Sequence, residues 1–229
     1  MRGTEKERAE AVCLGSRTDR PSITRRIDNI TEIRGEYLCQ APPCPESVKI
    51  ELTALCNFAC RFCARDQHLR EVGHIDRGFY ETILVDLLRS GVEELGLFYL
   101  GESFLVPWLP DAIRYAKDVG FPYVFLTTNG SVSTPEKVEA CFEAGLDSLK
   151  FSFNYSDPDH FASITTRPAS QYAEIISNLK SAWNIREEGG YTCGVYASYI
   201  MFEGERQREK MTRVVEEIEH FTDEVYALP

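Results

Sequence analysis

The rhythm of hydrophobic and polar positions changes at about residue 46. Residues 1–44 show little periodicity. Residues 17–34 are rich in Arg, Thr, Asp and Ser, and Pro42, Pro43 and Pro45 around Cys44 bar both helix interior and central strand. This part reads as an irregular lead-in covering 1–45. From Ser47 onward, short apolar runs alternate with stretches at helical spacing. Residues 47–53 alternate polar and apolar with period two, which predicts a strand. Residues 76–90 put Phe79, Ile83, Leu84, Leu87 and Leu88 on one helical face, ended by Gly91. An apolar run at 95–100 has buried-strand character, and 110–119 is helical, with Pro110 in its first turn and Gly120 past its end.

The alternation continues to the end of the chain. Residues 123–128 predict a strand. Ser133, Thr134, Pro135 and Glu136 start a helix that carries Val138, Cys141 and Phe142 and closes at Gly145. Strands follow at 148–153, 194–201 and 223–227, with helices at 170–186 and 207–220. Six strands with helices between them imply right-handed crossovers and a parallel sheet. The pattern permits a barrel or a doubly wound sheet, and in both the functional groups collect at the carboxyl ends of the strands.

Composition narrows the function classes. The 229 residues suit one core domain, 46–229, behind the lead-in, and 43% hydrophobic residues can bury a substantial core. A net charge of −11 makes nucleic acid an unfavoured partner, because that affinity comes largely from Lys and Arg on phosphates. The N-terminus runs into no signal-like apolar core, and no apolar stretch approaches the roughly 20 residues of a membrane span. No membrane is expected as a partner. Eight cysteines in a chain of this size, without a secretory signal, fit a reducing cytoplasm better than a disulfide framework. Cys141 on a helix face and Cys193 at a strand start read as small buried hydrophobes.

Cys56, Cys60 and Cys63 stand apart, in the loop directly after the first strand, at C-x3-C-x2-C spacing with no matching fourth cysteine. Thiolates are soft ligands suited to zinc, copper(I) and iron–sulfur clusters. Three of them on a cubane cluster leave one iron without a protein ligand, and an open metal position is a catalytic arrangement. With Phe62 just before the last cysteine, the loop resembles the cluster loop of the radical S-adenosylmethionine (SAM) superfamily.

That resemblance implies a partial (β/α)6 TIM-like barrel of α/β class, with Cys56, Cys60 and Cys63 as metal ligands and catalytic residues of a 4Fe–4S cluster. SAM would complete the cluster, with Phe62 near its adenine. Tyr99-Leu100-Gly101-Glu102-Ser103 resembles the family's glycine–glutamate motif, so Gly101 and Glu102 would receive the SAM ammonium. Thr127-Thr128-Asn129-Gly130, a phrase frequent in the superfamily, ends the third strand and offers Thr128 or Asn129 to the pocket. Ser152 and Asn154 share a face at the end of the fourth strand, where the family binds the ribose. Residues 199–201 would edge the adenine.

The implied activity is reductive cleavage of SAM to a 5′-deoxyadenosyl radical, which takes hydrogen from a small-molecule or peptide substrate. An external electron donor of flavodoxin or ferredoxin type would supply the electron. Because no helix follows the sixth strand, the chain is expected to be the core of a longer protein of the group that carries SPASM or twitch extensions. The alternative is a non-catalytic α/β module, holding a cluster or stapled by zinc through the cysteines and His68 or His74.

Overall fold

The computed structural model describes residues 22–67, 71–201 and 204–228. One sheet contains β1 (Ser47–Lys49), β2 (Glu94–Gly96), β3 (Tyr123–Thr128), β4 (Ser148–Ser152), β5 (Gly194–Ile200) and β6 (Glu224–Leu228). Each strand pairs in parallel with the next, so spatial order is sequence order. A doubly wound sheet would reverse direction at a switch point. Here right-handed crossovers in one direction put the crossover helices on one face and make a partial barrel.

Side chains alternate across this sheet as the period-two pattern requires. Leu95, Val124, Leu149, Phe151, Val195 and Val225 are buried in the main core. The helices on this face are α2 (Arg77–Arg89), α3 (Leu109–Val119), α4 (Pro135–Glu143), α6 (Gln171–Gly189) and α7 (Glu205–Ile218). The opposite, concave face carries the polar and aromatic residues of the same strands, among them Lys49, Glu94, Thr127, Lys150 and Ser152.

Several elements differ from expectation for identifiable reasons. The first two strands were expected over 47–53 and 95–100 but end at Lys49 and Gly96. Beyond Ile50 the chain leaves the β2 ladder and pairs with its own return segment. Ile75 donates to the Leu52 carbonyl at 2.9 Å, Ala54 to that of Gly73 at 2.9 Å, and Thr53 bridges His74 antiparallel. Residues 55–72 are thereby an excursion closed at its neck. In α2 the buried stripe runs through Tyr80 and Leu84, one position from the expected phase, and Phe79 is 56% exposed. Tyr80 sets that phase, because its hydroxyl donates to the Ala112 carbonyl at 2.8 Å inside the core.

Two helices were not anticipated. Part of the irregular lead-in is α1 (Ile23–Thr31), capped by Ser22, with Ile23, Ile27 and Ile30 at helical spacing. It docks at the N-terminal ends of the strands. The Ile23 amide donates to the Glu224 carboxylate at 2.8 Å, and Arg26 pairs with Glu94 while lying 3.5 Å above the Tyr123 ring centroid. The other is α5 (Pro158–Thr165), begun by Pro158 and the Asp157 cap, with Phe161 packed edge-on against Phe58 and Tyr155.

Where α6 meets β6, Arg186 and Asp223 form a buried ion pair, and Asp223 also accepts from the Val195 amide at 2.8 Å. Removing one partner leaves a buried charge, which costs about 3–5 kcal/mol. Asp223→Ala is therefore expected to lower the thermal midpoint by roughly 10 °C. A change under about 2 °C in a calorimetric scan would contradict this placement.

Candidate active site at the carboxyl ends of the strands

A cavity of about 150 Å3 opens where the strands end. The neck-closed excursion brings Cys56, Cys60, Phe62 and Cys63 to one wall. The segment after β2 contributes Gly101 and Glu102, the end of β3 contributes Asn129, and the end of β4 contributes Ser152 and Asn154. Nine of the residues singled out from the sequence thus border one space.

The cysteine loop is held by α5, which the sequence reading missed. The Ala59 amide donates to the Thr165 carbonyl at 3.2 Å and the Arg61 amide to that of Ile164 at 3.0 Å. Arg65 Nη1 binds the Cys56 carbonyl at 2.7 Å. The three cysteines are half-buried and free of disulfides. Burial, and then the neighbouring Cys56 and Cys63, push the Cys60 thiol up to about 12; burial also raises Cys56. These thiols are protonated until a cation draws the protons off. Among the described residues no three His, Cys, Asp or Glu side chains come together around a single ion. A cubane places each thiolate on a separate iron, so the donor set suits a cluster. His74 is exposed and lies outside the cavity lining, and His68 lies outside the described residues.

Opposite the thiols, the backbone after β2 is pressed against the neck of the loop. A Cβ on Gly101 would sit 1.8 Å from the Thr53 carbonyl oxygen, so only glycine fits this approach. Glu51 Oε1 accepts from the amides of Leu100 at 2.9 Å and Gly101 at 2.8 Å. The Glu102 amide donates to the Leu55 carbonyl at 2.8 Å. Glu51 was not singled out, although its alternation with Lys49 places it on the concave face.

Glu102 is 2% exposed and occupied. Its Oε1 accepts from Thr128 Oγ1 at 2.8 Å and the Phe104 amide at 3.1 Å, and its Oε2 accepts from the Asn129 amide at 2.7 Å. Burial raises its pKa, while these donors oppose the shift. A carboxylate has about four acceptor sites, so roughly one remains for a cation in the cavity. Glu102→Gln turns an amide group toward an existing donor and is expected to destabilise the fold by about 2 kcal/mol. An unchanged midpoint in chemical denaturation would contradict this placement.

Asn129 ties the cysteine loop to the barrel. Its Nδ2 donates to Asn57 Oδ1 at 3.0 Å and reaches Cys56 Sγ at 3.9 Å, while its Oδ1 accepts from the Ser131 amide at 2.9 Å. Ser152 is in register with Ser198 of β5. Asn154 Oδ1 accepts from the Ile200 amide at 3.1 Å and so splices the ends of β4 and β5. Residues 199–201, expected at the adenine edge, are not part of the cavity lining. Tyr155, also missed, is buried beside Cys60 in the wall.

The chain is similar to known proteins in both sequence and fold. The radical SAM superfamily matches residues 50–215. A GTP 3′,8-cyclase of Chlorobaculum tepidum is 33% identical over 121 residues, covering 52% of this chain and 36% of that protein. A tungsten-containing aldehyde ferredoxin oxidoreductase cofactor-modifying protein of Pyrococcus furiosus is 31% identical over 108 residues, covering 46% of this chain and 30% of that protein. The chain spans well under half the length of these relatives. Streptococcus suis SuiB bound to S-adenosylmethionine superimposes with a TM-score of 0.62 at 15% identity, over 78% of this chain and 39% of that one. TYW1 with a lysine-pyruvate adduct bound superimposes with a TM-score of 0.54 at 18% identity, over 80% of this chain and 63% of that one. These two likenesses carry the fold. The superfamily match takes in the cysteine excursion, four of the six strands and every residue of the cavity, and the chain belongs to the radical SAM superfamily.

Proposed function

We propose that Cys56, Cys60 and Cys63 hold a 4Fe–4S cluster and that SAM lies in the adjoining cavity. The cofactors supply the electron transfer that opens the SAM sulfonium bond and the 5′-deoxyadenosyl radical that takes a hydrogen atom from a substrate carbon. The protein's own part is positioning. Gly101 lets backbone approach the methionyl end, and Glu102 presents its remaining acceptor site to the ammonium. Ser152 offers a hydroxyl to the ribose, Asn129 and Asn154 fix the strand ends that face the nucleoside, and Phe62 covers the adenine at the mouth. An electron donor of flavodoxin or ferredoxin type docks at this open end, and a small molecule or peptide is the hydrogen donor.

The observation that carries this reading is the meeting of three disulfide-free thiols with the Gly101–Glu102 backbone across one cavity at the carboxyl ends of a parallel barrel. No helix among the described residues is long and apolar enough to cross a membrane. Anaerobic reconstitution with iron and sulfide tests the cluster assignment. The reading expects four irons and four sulfides per chain and a brown visible band. One tightly held zinc and a colourless protein would instead establish the stapled module.

A further inference from the structure

A second space lies beneath the candidate SAM cavity, inside the barrel. It measures about 220 Å3, is floored by α1, and shares Phe98 and Thr127 with the cavity above. Its charges are unevenly matched. The Glu94 carboxylate in its lining is taken up by Arg26 of α1, and Glu224, outside the lining, by the Ser22 hydroxyl and the Ile23 amide. Two cations higher in the space, Lys49 on β1 and Lys150 on β4, have neither an ion pair nor a hydrogen bond among the described residues.

Both ammonium groups instead lie near the same aromatic ring. Lys49 Nζ is 5.4 Å and Lys150 Nζ 6.0 Å from the Phe98 centroid, and Lys150 Nζ is 5.8 Å from the Tyr226 ring. Aromatic faces attract cations without neutralising them. Lys150 is half-buried, and burial together with Lys49 brings its pKa down to about 8. Lys49 is exposed and Lys150 half-buried, but both line the one space, and two like charges there repel each other until an anion joins them. That a chain of net charge −11 leaves these two cations uncompensated points to a ligand.

We infer that Lys49 and Lys150 form the subsite for a doubly charged oxyanion of the substrate, a phosphate ester or a pair of carboxylates. The inference rests on the proposed radical SAM function and names the substrate class for the same barrel. Lys150 is two residues before Ser152 on one face of β4, roughly 7 Å along the strand. An anionic group seated on the lysines would put the rest of the molecule against Phe98 and Thr127, the wall shared with the SAM cavity. Compact ammonium groups serve a phosphate as point charges, with no need for a bidentate fork.

The test uses the reconstituted full chain with two probes, inorganic pyrophosphate and malonate. Acetylation of Lys49 and Lys150 by a small amine reagent is followed by mass spectrometry with and without each probe. The inference expects one probe to slow labelling of both lysines while an exposed lysine outside the space, such as Lys137, is unaffected. Pyrophosphate protection marks a phosphate subsite, and malonate protection a carboxylate one. Calorimetry should show probe affinity falling by about tenfold or more in Lys150→Met and in Lys49→Met, with Lys150→Arg retaining it. No protection by either probe, or equal affinity in the wild type and the methionine variants, would overturn the inference. Wild-type protein that cleaves SAM yet binds neither probe loses only the subsite; protein that binds a probe but cannot cleave SAM loses only the proposed function.

Discussion

Cys60→Ala is expected to abolish cluster assembly and SAM cleavage together while the barrel stays folded. Cys60 sits in the middle of the excursion, between Cys56 and Cys63, where burial and the two neighbouring thiols already act on it. Its side chain packs against the core beside Tyr155, while the loop itself is held by backbone bonds to Thr165 and Ile164 and by Arg65. Loss of the thiol therefore removes the proposed ligand and one small packing contact, while the bonds that hold the loop remain. The check combines iron analysis, circular dichroism and product chromatography on one preparation. A folded Cys60→Ala protein that keeps four irons and still forms 5′-deoxyadenosine would refute the ligand assignment.

Gly101→Ala is expected to separate the two cofactors. The new methyl would fall 1.8 Å from the Thr53 carbonyl oxygen and 3.0 Å from that of Leu55, both backbone atoms that no rotamer change can clear. The segment carrying Glu102 must then move off the loop neck by an ångström or more. A displacement of that size costs a factor of about 100 where geometry governs the reaction. The cysteines lie on the far wall, so iron content should hold while SAM affinity and cleavage fall. Titration of the visible spectrum with SAM measures this directly. SAM affinity equal to the wild type would show that the Gly101 approach does not shape the binding site.

Most of the barrel was legible in the sequence because its strands are short and strongly patterned. Residues 148–152 alternate cleanly, residues 123–126 form a compact apolar run, and the helices announce themselves through Pro110, Gly120, Pro135 and Gly145. The choice between barrel and doubly wound sheet was not legible, because spatial strand order leaves no local signature. The early ends of β1 and β2 were hidden for a related reason. Leu52 and Leu97 are as apolar as strand residues, and only the antiparallel partner at 73–75 diverts the first of them.

The cysteines were legible from spacing, and the Gly101–Glu102 segment from its similarity to a known motif. What holds them was not. Glu51 reads as one polar position of an alternating strand, and nothing local says that it caps the amides of Leu100 and Gly101. The α5 helix is eight residues long with a single deeply buried aromatic, Phe161, so its periodicity is too brief to register. Its contribution, two carbonyls offered to the cysteine loop, is a tertiary contact across about 100 residues of chain. The α1 helix was masked by its polar surroundings; its three isoleucines gain a core only when the strand ends supply one.

The central claim is that this chain positions a cluster and SAM for reductive cleavage. Its most direct test is to reduce the anaerobically reconstituted protein with dithionite, add SAM, and follow 5′-deoxyadenosine and methionine by chromatography. The account predicts equimolar appearance of both, dependent on dithionite. A fully loaded, SAM-binding protein that releases neither product under these conditions would contradict it.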